Sequence, residues 1–132
     1  MNRRRIVAMA ALSVGLLLLP GSPLAHSLLV RSQPERRAAV TRPPEEVRLW
    51  FSERIEPAYA WVSVWDAEGK QVDAGDAAVD PAHPTTLAVR TPGLRAGRYT
   101  VRYRVLSVDG HIVESSFDFT VRSATAPKAI QK

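Results

Sequence analysis

The chain has 132 residues, 45% of them hydrophobic and 7% aromatic, with a formal charge of +5 and no cysteine. That length allows one domain at most, and the lack of cysteine excludes a scaffold held by disulfides. The basic balance does not point to nucleic acid, because three of the positive charges, Arg3, Arg4 and Arg5, stand together ahead of an apolar run.

That run, Ile6 to Leu19, is followed by Gly21-Ser22-Pro23-Leu24-Ala25, which are mostly small and turn-forming residues. Basic start, apolar middle and small-residue end read as a secretory signal peptide over residues 1–25. The arginines admit either general secretory or twin-arginine export. An uncleaved anchor is the competing reading; the run is short for a span and is followed by Pro20 and Pro23. Cleavage after Ala25 leaves 107 residues (132 less 25) with a charge of +2 (+5 less three arginines), beginning at His26. A cut after Ser27 would satisfy an A-x-S pattern but would discard His26. The processed protein is then expected to be exported and not membrane-spanning, and to hold itself together by its core alone.

Short strand patterns follow in order. Leu28 to Arg31 reads as a first strand, stopped by Ser32-Gln33-Pro34, and a polar stretch runs to Pro43-Pro44. Glu46 to Phe51 alternates, placing Val47, Leu49 and Phe51 inward and Glu46, Arg48 and Trp50 outward. Trp61 to Trp65 sets Val62 and Val64 on one face and the tryptophans on the other. Those two indoles either cover the outer side of a curved sheet or form an exposed patch for a partner. Gln71 to Ala74 reads as a weak return strand, Gly75 to Pro84 as a loop, and Thr86 to Arg90 as a strand. From Arg98 to Leu106, Tyr99, Val101, Tyr103 and Val105 alternate with Arg98, Thr100, Arg102 and Arg104. Phe117, Phe119 and Val121 alternate with Asp118, Thr120 and Arg122. No segment carries a 3.6-residue apolar period, and no internal repeat occurs. The pattern predicts an all-β fold, a single antiparallel immunoglobulin-like, Greek-key sandwich of seven to eight strands over residues 26–122. Residues 123–132 lack alternation and read as a disordered tail.

Between the last two strand patterns lies Ser107-Val108-Asp109-Gly110-His111. In extended backbone Asp109 and His111 would point the same way and could converge on one ion, with Gly110 letting the chain bend. An ordinary Asp-Gly hairpin with a chance histidine is the plain alternative. His26 changes the balance, because an N-terminal histidine offers its α-amine and its imidazole to one metal as a chelate. Adding His111 and Asp109 gives three nitrogens and one oxygen, a set that suits Cu(II) best and Ni(II) second, while zinc would accept the same donors.

The processed chain resembles the CopC family of periplasmic copper-binding proteins. The matching segments are H-S-L-L-V-R-S-Q-P at His26 to Pro34, V-R-L-W-F-S-E at Val47 to Glu53, Gly97 to His111, and F-D-F-T-V at Phe117 to Val121. The resemblance implies Cu(II) ligation by His26, Asp109 and His111, with Glu53 as a neighbour that orients the ligands. It also implies a copper buffer or carrier, expected to be monomeric, with an inner-membrane copper protein of the CopD kind as partner. A solvated charge at a strand end is the plain reading of Glu53. The methionine-rich Cu(I) site of some relatives is not expected, since the only methionines are Met1 and Met9. His83, in the proline-containing loop, is expected on the surface. Two other function classes are consistent with parts of the sequence: a metal-free immunoglobulin-like interaction module, and a copper oxidase built on a histidine brace. The oxidase is the weaker, because a charged carboxylate favours Cu(II) and fills a coordination position that turnover needs open.

Overall fold

The computed structural model describes residues 29–123 and is an all-β sandwich. Its strands are β1 (Leu29–Gln33), β2 (Ala39–Val40), β3 (Glu46–Phe51), β4 (Trp61–Trp65), β5 (Ala78–Asp80), β6 (His83–Arg90), β7 (Gly97–Leu106) and β8 (Ile112–Val121). They form two four-stranded sheets, β1-β3-β6-β5 and β2-β8-β7-β4. All neighbours are antiparallel except β2, which runs parallel to the end of β8 through Ala39–Thr120 and Val40–Val121. The predicted signal peptide, His26 and nearly all of the predicted tail lie outside the described residues.

Alternation decides which side chains face inward. Along β7, Tyr99, Val101, Tyr103 and Val105 are buried while Arg98, Arg102 and Arg104 are exposed. Register carries the same parity across the sheet, setting Val101 between Val64 on β4 and Phe117 on β8. On the facing sheet Val47 and Leu49 pair with Val89 and Leu87, all buried. The two layers meet edge-to-face through Phe51 and Tyr103, with ring centroids 5.5 Å apart. Each such buried side chain contributes about 1.5–3 kcal/mol of apolar burial. Tyr99 reconciles burial with its hydroxyl by donating to the Arg95 carbonyl at 2.7 Å.

Two departures from the expected elements have local causes. The Gln71–Ala74 strand reduces to one bridge, Trp65–Gln71, because the Asp73 carboxylate takes the Val64 amide at 2.9 Å where a strand partner would. The predicted Gly75–Pro84 loop contains β5 and the start of β6, a hairpin in which His83 faces Asp80.

β7 and β3 end, and β8, β4, β6 and β1 begin, at one end of the sandwich. Residues 52–56 cross between the sheets there. Ile55, buried, bridges Ser107, and the Glu56 amide donates to the Leu106 carbonyl at 2.8 Å. That end carries the Ser107–His111 segment.

Candidate metal centre

The β7–β8 ladder runs in register to Leu106–Ile112, so Ser107 and His111 are the next facing pair. The Ser107 amide donates to the His111 carbonyl at 2.9 Å, and the Gly110 amide to the Ser107 carbonyl at 2.9 Å. Val108, Asp109 and Gly110 thus close a three-residue hairpin, with Gly110 at φ 91° in the left-handed position such a loop requires. This corrects the extended arrangement expected of Asp109 and His111. They converge through a tight turn instead.

Asp109 Oδ1 is the hub of the turn. It accepts from the Ser107 hydroxyl and from the His111 amide at 3.1 Å, and it stands 2.9 Å from His111 Nδ1. The Ser107 hydroxyl first, then the His111 ring and amide, hold the Asp109 carboxyl down at about 2. It is therefore a carboxylate at any physiological pH. Oδ2 stays outside these bonds. His111 is half-buried and its Nδ1 is shielded from solvent. A carboxylate beside Nδ1 fixes the ring orientation, as in carboxylate–histidine–metal arrangements.

Ser107 is the positioning residue that sequence reasoning missed. It continues the inward row of Tyr99, Val101, Tyr103 and Val105, and it is 1% exposed. A hydroxyl at the end of an apolar row was the available signal, since a buried hydroxyl needs a partner and the nearest one downstream is Asp109.

Glu53 lies on the crossing segment. The Ile55–Ser107 bridge is antiparallel and the Val108 amide donates to the Arg54 carbonyl at 3.2 Å, an alignment that sets Glu53 opposite Asp109. Its Oε2 is buried with no hydrogen-bond partner among the described residues. Such an atom is costly unless a donor or cation meets it. His83, by contrast, is exposed and pairs with Asp80 at 3.1 Å.

Among the described residues no three of His, Cys, Asp and Glu gather in a way that could hold a metal. Asp109 and His111 come together, Glu53 sits on the neighbouring crossing segment without joining them in such a group, and the remaining predicted ligand, His26, lies outside the described residues. An imidazole and an ionised carboxylate are donors of a kind that a borderline cation such as Cu(II) accepts.

Residues 29–122 match the CopC domain. The chain belongs to the CopC family. Its fold is similar to the crystal structure of CopC from Methylosinus trichosporium OB3b, at 38% identity and a TM-score of 0.68, covering 78% of this chain and 100% of that one. It is also similar to PcoC, a methionine-rich copper resistance protein from Escherichia coli, at 30% identity and a TM-score of 0.62, over 74% of this chain and 100% of PcoC. The copper transport protein CutJ of Bacillus subtilis is 26% identical over 119 residues, which are 89% of this chain and 22% of CutJ. This chain thus spans about a fifth of the length of that relative. The CopC match begins at Leu29, so it includes Glu53, Asp109 and His111 and leaves His26 outside.

Proposed function

We propose that the protein is an exported Cu(II) carrier that buffers or delivers copper in the periplasm, with one site made by His26, Asp109 and His111. The observation that carries the reading is the Asp109–His111 pair held in the hairpin turn of a CopC-family chain. The start of β1 supports the third ligand. Leu29 pairs with Phe51 at the end of β3, two residues before Glu53, and His26 is three residues before Leu29. Three extended residues reach about 10 Å. The α-amine and imidazole of a processed N-terminus would chelate the ion, His111 would supply a third nitrogen, and Asp109 the oxygen. Glu53 would accept a hydrogen bond from a ligand donor and so orient it.

A carrier fits this donor set better than an oxidase, because an anionic carboxylate favours Cu(II) and opposes cycling to Cu(I). PcoC is described as methionine-rich, whereas this chain has no methionine after Met9 and no cysteine, so no soft-ligand Cu(I) site is proposed. An inner-membrane acceptor of the CopD kind is the partner we propose, with the carrier acting as a monomer. The ligand assignment is tested by Cu(II) titration of His111→Ala and His83→Ala. The first is expected to lose orders of magnitude in affinity and the second almost none; equal titrations would refute the assignment.

A further inference from the structure

We propose that the outer face of the β2-β8-β7-β4 sheet, together with the apolar rim of the Ser107–His111 turn, docks on an anionic phospholipid bilayer. Register lays this face out in rows: Trp61–Arg104–Glu114, Ser63–Arg102–Ser116, Trp65–Thr100–Asp118, and Arg98 beside Thr120. The middle strand therefore presents a ridge of three exposed arginines from 98 to 104, about 20 Å long. At the β8 margin Arg36 and Arg37 join Arg98 around a cleft of about 510 Å³, with Arg36 standing over the Phe117 ring. The three arginines of the ridge share the face with two carboxylates, Glu114 and Asp118, and Asp118 is already bound to Arg98 and to the Thr100 hydroxyl.

The second observation is apolar. All the exposed large hydrophobic residues among those described, Val30, Tyr59, Trp61, Val108 and Ile112, lie at the end of the sandwich that carries the turn. Tyr59, Trp61, Leu106 and Ile112 border a groove of about 530 Å³ there. Concentration at one end is not the scatter expected of ordinary surface residues. An apolar rim with a tyrosine and a tryptophan, continuous with an arginine ridge on the same face, supplies both features that an anionic bilayer surface binds. Amphipathic rings settle at the headgroup level, and guanidinium groups pair with phosphates.

An acidic protein could meet some of these arginines, but they are spread over the ridge and the far margin of one sheet. A laterally uniform anionic surface offers phosphates along the whole length of the ridge. Docking in this pose would set the Asp109–His111 turn at the membrane surface whether or not metal is bound. The inference therefore stands apart from the copper reading.

The test uses metal-free protein recovered from the exported fraction, with its N-terminus established by mass, and vesicles of phosphatidylcholine with or without phosphatidylglycerol. Co-sedimentation and a blue shift of tryptophan fluorescence are expected with the anionic vesicles and not with phosphatidylcholine alone, both weakening as salt rises. At about 1 kcal/mol per arginine, R102Q/R104Q should lower partitioning about 30-fold. V108S/I112S should abolish the blue shift while keeping salt-sensitive binding. All variants share one N-terminus, so a contribution from that segment cancels. No binding to anionic vesicles, salt-insensitive binding of the unaltered protein, or an R102Q/R104Q variant that folds and partitions normally would each overturn the proposal.

Discussion

At the scale of single residues, the candidate centre depends on one oxygen. Asp109 Oδ1 takes the Ser107 hydroxyl and the His111 amide and lies against the His111 ring, so the turn itself orients both side chains. Because those contacts hold the Asp109 carboxyl at about 2, proton competition for a bound cation falls on the nitrogen donors and not on the carboxylate. The pairing of Asp109 with His111 was legible in the sequence from their spacing. The contribution of Ser107 was not, since period-two reading assigns it to the core. Glu53 is set in place by a crossing between sheets, which leaves no periodic trace. Its buried, unpartnered Oε2 is the observation behind the orienting role proposed for it. Glu53→Gln should weaken Cu(II) binding about 10–100-fold with the paramagnetic resonance pattern of the bound ion unchanged. An altered donor set in that pattern would show that Glu53 is itself a ligand or that the site is wrongly assigned.

At the scale of elements, β3 and β7 follow the alternation in the sequence because each has one face on the core and a more exposed face opposite, and on β4 the outward Ser63 is covered, with the Trp65 indole donating to it. β2 and β5, of two and three residues, exist by backbone pairing and carry no pattern long enough to read. β8 was legible only from Phe117 onward. Its first half, including Ser115 opposite Tyr103, is largely exposed, and β2 covers only its far end. The hairpin between β7 and β8 rests on Gly110. Beyond the adjoining residues no atom lies within 4 Å of a Cβ built there, so substitution meets backbone strain and not a clash. Gly110→Ala should cost about 1–2 kcal/mol of folding stability, read by chemical denaturation. An unchanged midpoint would mean that the loop tolerates a different turn.

At the scale of the whole molecule, no disulfide is available and the sandwich is held by its core and by surface ion pairs. Four carboxyls are held below their ordinary range: Asp76 by Arg90, Asp80 by the Ala82 amide and His83, Asp118 by Arg98 and Thr100, and Asp109 as described. A depressed native value stabilises the fold above the unfolded value of about 3.9, and that contribution is lost as pH falls through the native values. The thermal midpoint should therefore be level above about pH 5 and fall steadily between about pH 4 and 2. A midpoint unchanged to pH 2.5 would show that these pairs do not contribute.

The central claim is that the metal site is completed by a free N-terminal histidine. The α-amine binds copper only when free and unprotonated, with a reference pKa of about 7.7–8.0. One extra residue before His26 keeps every side chain but turns that amine into an amide. Calorimetric Cu(II) titration of the processed protein beginning at His26, against the same protein carrying one added glycine, tests the claim most directly. The extension should cost orders of magnitude in affinity, and the affinity of the processed form should fall as pH drops and protons compete for its nitrogen donors. Equal affinities for the two forms would contradict it.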